Sequence, residues 1–251
     1  MIIDKLIDIA NERSNGRKIK DIRIGVGYTC VMLDDGSSGL AYTFVNELGP
    51  CCGQLEEAGS MIGRDCTSVI SWGKKDNILK STVGVAAINA VIHSGIQEYE
   101  TGNIINEVKN LNSYDTFGMV GYFRPIINVV KQTGAKTYVF ERSGKYEGTT
   151  VPDWAIEMYL PQCDVVIITG TAIINKTIDH ILEMCKNARE VYIVGPSTTM
   201  SYEAFEGYNV TKLAGSLVVE PKKALEVVSQ GGGTMMLKDA IKNISVKVKG
   251  K

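Results

Sequence analysis

Apolar residues recur at Ile2, Ile3, Leu6, Ile7 and Ala10. That spacing gives a helix one buried face, so residues 2–13 are predicted helical. After a polar turn at 15–18, residues 19–33 alternate well enough to read as a strand. DDGSSG at 34–39 is a hairpin turn, and LAYTFV at 40–45 is the return strand. Residues 81–94 open with a serine in the cap position and keep a broad apolar face, which predicts a helix. The first part of the chain is therefore α+β. A polar stretch at 107–115 reads as a junction, and the rhythm changes beyond it. Predicted strands at 116–122, 135–141, 164–168 and 190–196 interleave with predicted helices at 125–134, 152–160 and 177–187, and a further helix spans 221–229. Near-continuous apolar strands of this kind belong to a parallel sheet covered on both faces. The expected fold is α/β, with a small N-terminal α+β domain over residues 1–110 and a parallel-sheet domain over 111–251.

Composition narrows the partners. The 251 residues are 44% hydrophobic, enough for a large core or two modest ones. A net charge of −1 offers no basic surplus for phosphate backbones, so nucleic acid is not expected as a partner. The N-terminus carries Asp4 and Asp8 and lacks the basic start of a signal peptide. No apolar run approaches a membrane span, so the protein is expected to be cytoplasmic. Its six cysteines include no CxxC pair and read as thiols. His93 sits in an apolar helix pattern and reads as a core residue. His180 reads as an exposed helix residue.

Candidate chemistry sits where the parallel strands end, because open α/β sheets bind ligands beyond their carboxyl edges. The first end gives Gly121 and Arg124, and the second gives Glu141 followed by Arg142, Ser143 and Gly144. The third gives Thr169, Gly170 and Thr171 with Asn175 and Thr177, and the fourth gives Gly195, Pro196, Ser197, Thr198 and Thr199. Glycine admits close backbone approach, hydroxyls offer neutral hydrogen bonds, and an arginine fork suits a carboxylate or phosphate. In TGTAIINKT, residues 169–177, the chain is expected to open after its strand to hold a ligand. Glu141 is the carboxylate of these ends and the candidate general base. Each piece also has a plainer use: Gly-Pro as a turn, Asn175 or Thr177 as a helix cap, Arg124 as a surface residue. GxGxxG and GxxxxGK[ST] are both absent. The run SQGGGT at 229–234 suits a helix exit or a loop closing over a pocket. Cys51 and Cys52, beside Glu56 and Glu57, are either ordinary loop thiols or part of a soft-metal site.

GYFRP, TGTAIINKTIDHIL, VGPSTTM and the late QGGG occur in that order, with IGVGYTCVMLDDGSSGLAY upstream. Together they resemble the heavy-metal-chelation family, a bacterial and archaeal group first described as a domain of unknown function. The resemblance spans nearly the whole chain. It implies an N-terminal domain similar to the enolase N-terminal fold, without enolase chemistry, then a Rossmann-like domain, with a site in the cleft between them. By the same resemblance that site includes Arg124, Thr169, Gly170, Thr171, Asn175, Pro196 and Ser197, with the loop near Gly27, Tyr28 and Thr29 contributing.

Three readings stand open at this point. The leading one is a protein that binds a small anionic metabolite, or a metal chelate, in an interdomain cleft, and makes, modifies or carries it. The residue types at the strand ends suit such an organic anion better than a bare ion, which needs thiolates, imidazoles or carboxylates in number. The second reading is a direct metal-binding protein using Cys51 and Cys52. The third is an enzyme with a nucleotide-derived cofactor on its Rossmann-like half. Homo-oligomerisation, the cofactor and the reaction stay open.

Overall fold

The structure is a computed structural model, and it describes residues 1–49, 53–102, 104–142 and 150–248. In chain order the helices and strands are α1 (Ile2–Glu12), β1 (Ile19–Ile24), β2 (Tyr28–Leu33), β3 (Ser38–Tyr42), α2 (Cys66–Ile70), α3 (Ile78–His93), β4 (Glu100–Thr101), α4 (Ile105–Val108), β5 (Thr116–Val120), α5 (Arg124–Thr133), β6 (Lys136–Glu141), β7 (Val151–Pro152), α6 (Ile156–Tyr159), β8 (Val165–Thr169), α7 (Thr171–Ile174), α8 (Ile178–Met184), β9 (Glu190–Val194), α9 (Tyr202–Phe205), β10 (Lys212–Val218), α10 (Pro221–Ser229) and β11 (Ile241–Lys247). The class is α/β: a small antiparallel sheet precedes a mostly parallel one.

The stretch 19–33, expected as one strand, folds into two. β1 and β2 pair antiparallel around a turn at residues 25–27. Close approach is the physical reason. A Cβ on Gly25 would sit 2.2 Å from the Val228 carbonyl oxygen at the end of α10. β3 completes the sheet in the order β1-β2-β3. Period-two alternation then gives this sheet two apolar faces. Val31 and Leu33 join one core with α1 and α3, whereas Cys30 and Met32 join another with Ala224, Leu225 and Val228 of α10. Every residue of α3 from Ser81 to His93 is buried, so the helix is enclosed around its whole circumference, in keeping with its largely apolar sequence. Its cap is not Ser81 but Asn77, whose side chain accepts from the Lys80 N–H at 2.9 Å. The Ser81 hydroxyl lies one turn inside, 2.7 Å from the Ile174 carbonyl.

The larger sheet has eight strands in the order β4-β11-β10-β9-β8-β5-β6-β7. β10, β9, β8, β5, β6 and β7 run parallel, and β11 pairs antiparallel with both β10 and β4. Alternation again sorts the side chains. Phe117, Met119, Val165, Ile167, Tyr192 and Val194 pack on the α5 side, and Val166, Ile168, Val191 and Ile193 on the other. Burying each such side chain is worth about 1.5–3 kcal/mol, so both faces hold helices. β10 and β11 are strands that the apolar pattern does not announce. Lys212, Gly215 and Ser216 interrupt the first, and Lys242, Asn243, Ser245 and Lys247 the second. Their seven-residue antiparallel register carries the chain around α10 and back to the sheet.

Candidate functional site

β5 is flanked by β6 on one side and β8 on the other. From β5 the chain leaves through α5 on one face of the sheet, and from β8 it leaves through α7 and α8 on the opposite face. In open α/β sheets such a reversal marks the part of the carboxyl edge where ligands bind. The registers Val120↔Phe140, Val120↔Ile168 and Thr169↔Val194 bring the four strand ends level with one another.

The sequence-expected residues take different parts at this edge. Gly121 is half-buried with φ at 92°, and its N–H donates to the Phe140 carbonyl at 2.9 Å. Arg124 is exposed as the first residue of α5, where Pro125 forfeits no needed hydrogen bond. Thr169 and Thr171 are half-buried, with their hydroxyl oxygens 3.0 Å apart. Gly195 and Pro196 are half-buried, and the Phe123 ring reaches within 3.6 Å of the place a Gly195 Cβ would take. Glu141, half-buried at the end of β6, faces Tyr42. The phenol of Tyr42 is pushed up first by burial and then by the charges of Glu141 and Glu47.

Other expected residues serve packing. The chain does not open after β8, since α7 begins directly at Thr171. Gly170 is there because Thr198 backs onto it: a Cβ would sit 2.5 Å from the Thr198 nitrogen. Asn175 ends α7, and its Oδ1 accepts from the Thr177 N–H at 3.2 Å and the Thr177 hydroxyl at 2.8 Å. Ser197 and Thr198 are buried rather than lining open space. Thr198 Oγ1 has no hydrogen-bond partner among the described residues. Ser143 and Gly144 lie outside the described residues, as do Cys51 and Cys52.

The sequence reading missed the groups that the N-terminal half brings to this edge. The Tyr42 N–H donates to Ser197 Oγ at 2.8 Å. Arg142 bridges Glu47 at 3.2 Å and Asp153 at 2.8 Å. Asn89, fully buried, donates to the Leu40 carbonyl at 2.8 Å and accepts from the Thr199 hydroxyl at 2.6 Å. The aromatic end of LAYTFV was the available signal for Tyr42. Nothing local pointed to Asn89, which sits within an apolar helix.

A cavity of about 270 Å³ lies elsewhere, between the turn at 25–27 and the exit of α10. It is lined by Ile24, Gly25, Val26, Thr43, Val45, Leu48, Ser229 and Gly231, and so by none of the strand-end residues.

The described donor set does not fit a bare heavy-metal ion. No group of three or more His, Cys, Asp or Glu gathers among the described residues. Cys30, Cys66, Cys163 and Cys185 are free and buried. Burial pushes the Cys30, Cys163 and Cys185 thiols up to about 12, far from the thiolate form that binds metal. His93 is buried as expected, and its Nε2 accepts from the Met200 N–H at 3.3 Å. His180 is exposed beside Glu157, at 3.0 Å. Among the described residues no helix is long and apolar enough to cross a membrane.

Known proteins resemble the chain over its whole length. An uncharacterized protein of Methanocaldococcus jannaschii is 28% identical over 98% of this chain and 96% of its own. The crystal structure of a protein of unknown function from Pyrococcus horikoshii superposes with a TM-score of 0.86 at 26% identity, covering 99% of this chain and 100% of that one. A second protein of unknown function, from Desulfitobacterium hafniense, superposes with a TM-score of 0.77 at 22% identity, over 97% and 98% of the two chains, and shares the fold. Both of those proteins come from one family. Family models match this chain over residues 7–92 and 105–247, and both carry the description "putative heavy-metal chelation". The chain belongs to that family.

Proposed function

We propose that the protein binds a small anionic, metal-chelating metabolite in the crevice between the N-terminal half and the carboxyl edge of the large sheet. The observation that carries this reading is the reversal at β5 and β8, with Thr169 and Thr171 on its rim and Arg124 exposed at the first turn of α5. Arg124 supplies the fork that a carboxylate or phosphate needs. The two threonine hydroxyls supply neutral donors, and Gly121 and Gly195 leave room for a ligand's approach. Glu141, whose charge acts on the Tyr42 phenol, is the proposed proton acceptor, since Glu47 and Asp153 are paired with Arg142. Ser197, Thr198, Gly170 and Asn175 support the crevice from behind.

A chelate reconciles the family description with the donor set. A metal held by its own organic ligand asks the protein for hydrogen bonds and a cation, not for a cage of thiolates. The strand order also matches that of dinucleotide-binding sheets, but the β5–α5 turn lacks their glycine fingerprint, so the chelate reading ranks first.

The test is calorimetric titration of the full chain with nitrilotriacetate, with nickel–nitrilotriacetate and with nickel alone. The chelate is expected to bind, its free anion to bind more weakly, and bare nickel to bind least. Tight binding of bare nickel with no gain from the chelator would defeat the proposal.

A further inference from the structure

Two non-glycine residues among the described ones have a positive φ, Asn15 at 52° and Lys176 at 63°. Asparagine tolerates that conformation. Lysine does not, because its Cβ crowds the following carbonyl. Lys176 lies between α7 and α8, directly after Asn175. Its ammonium holds it there. Nζ donates to the Ile174 carbonyl at 2.9 Å, to the Lys75 carbonyl at 2.8 Å and to Ser81 Oγ at 2.6 Å. An ammonium has three donors, so this one is fully used. Ile174 is the last residue of α7, whereas Lys75 and Ser81 belong to the N-terminal half, before and within α3. Ser81 is fully buried, and its hydroxyl lies 2.7 Å from the same Ile174 carbonyl. One cation thus joins both halves of the chain at the end of α7.

We propose that Lys176 is a positioning residue, whose ammonium sets the rim threonines Thr169 and Thr171 against the N-terminal half without touching the ligand. α7 is a single turn, and the Asn175 N–H donates to the Thr171 carbonyl at 3.2 Å. Whatever fixes Ile174 at the lower end of that turn therefore fixes Thr171 at the upper end. Thr171 is coupled in turn to Thr169, hydroxyl to hydroxyl, at 3.0 Å. A helix leaves its last carbonyls unsatisfied, and a cation at that end is favourable. Glycine would take the same φ without strain but would leave Ile174, Lys75 and Ser81 unbridged. What lysine adds over glycine is the cation. Strain of this kind persists only where the surroundings over-determine it, and it gathers at sites whose geometry is used. The effect on a ligand rests on the crevice reading above, whereas the setting of the threonines does not.

The experiment compares the full chain with Lys176→Met and Lys176→Gly, all with labelled threonine methyls. Lys176→Met keeps an unbranched stem without the charge. Lys176→Gly also relieves the backbone, and it serves alone should Lys176→Met fail to fold. In the free protein the Thr169 and Thr171 methyl signals are expected to shift in both variants. They are expected to stay in place in Lys186→Met, which removes an exposed lysine. Calorimetry with nickel–nitrilotriacetate is expected to show affinity weakened roughly threefold to thirtyfold, the range for residues that act on a ligand without contact. Butylammonium, which resupplies the stem and charge of lysine, is expected to restore part of the Lys176→Gly affinity, and butanol is not. Unmoved threonine signals in the folded variants would overturn the proposal. So would full affinity in them where Arg124→Ala loses its own, or equal rescue by butanol. Weakened Lys176 variants beside an unaffected Arg124→Ala would fault the crevice reading and uphold this one. If the parent does not bind the chelate, the crevice reading fails and the threonine signals alone decide the role of Lys176.

Discussion

The Tyr42 N–H and Ser197 Oγ, 155 positions apart in sequence, meet at 2.8 Å. One comes from the last residue of the small sheet, the other from the loop after β9. The bond fixes how the N-terminal half faces the carboxyl edge of the large sheet. Ser197→Ala leaves a partly buried N–H without its acceptor, which costs about 1–3 kcal/mol. Urea unfolding should show that loss. A variant within about 0.5 kcal/mol of the parent would mean that water takes over the bond and that the contact holds nothing.

Asn89 carries more than one bond. Its amide donates to the Leu40 carbonyl at 2.8 Å, and its carbonyl accepts from the Thr199 hydroxyl at 2.6 Å. The site is completely buried, so water cannot substitute. Asn89→Leu has nearly the same size but orphans both partners. The expected loss is about 2–4 kcal/mol, larger than for Ser197→Ala. The unfolding midpoints of the two variants, measured side by side, decide the ranking.

Arg124 behaves in the opposite way. It is exposed and begins a helix, where a cation opposes the helix dipole. Arg124→Ala should leave stability nearly unchanged. Binding of nickel–nitrilotriacetate should weaken by about 1.5–3 kcal/mol, the worth of a charge-assisted hydrogen bond. Unchanged affinity with a collapsed melting temperature would make Arg124 a structural residue and put the crevice reading in error.

Much of this fold was legible because period two and period three-and-a-half recur cleanly. α1 and α10 fall within a residue or two of their apolar patterns, and β5, β6, β8 and β9 within a residue or two of theirs. What stayed hidden depends on contacts between distant segments. The turn at 25–27 exists because the end of α10 presses on Gly25, some two hundred residues away. β10 and β11 satisfy each other's backbones despite lysine, glycine and serine in their strands, and only pairing reveals them. The candidate site divides on the same ground. Strand-end residues could be named from the sheet rule. That Gly170 and Thr198 fill one another's space, and that Tyr42 and Asn89 tie the halves together, required the packing.

His93 makes stability depend on pH. Burial drives its imidazole down from an ordinary 6.5 to about 4, against a smaller upward pull from the Thr198 and Ser216 carbonyls. The folded protein therefore holds the ring neutral, and the unfolded chain takes up the proton first. Stability is fully present above pH 6.5 and is lost as pH falls toward 4, by about 3 kcal/mol. His93→Gln keeps an acceptor for the Met200 N–H but cannot titrate. It should flatten that part of the profile while lowering stability at pH 7 through imperfect packing. Parallel acid profiles in parent and variant would show that other groups govern the loss.

The metal question turns on thiolates. A heavy-metal ion held by protein alone needs several deprotonated soft donors. Burial holds the Cys30, Cys163 and Cys185 thiols at about 12, and no trio of donors gathers among the described residues. Burial also raises the Cys66 thiol, which leaves Cys51 and Cys52 as the remaining candidates by sequence. Two thiolates still leave a zinc-like ion short of its four usual ligands. The expectation is weak binding of zinc, cobalt and nickel by the protein alone. Equilibrium dialysis should give sub-stoichiometric uptake at micromolar metal, little changed in the Cys51→Ser, Cys52→Ser double variant. That variant should bind nickel–nitrilotriacetate as the parent does, because the crevice residues are untouched. Tight, stoichiometric uptake that vanishes in the double variant would reverse the ranking and make the vicinal cysteines the metal site.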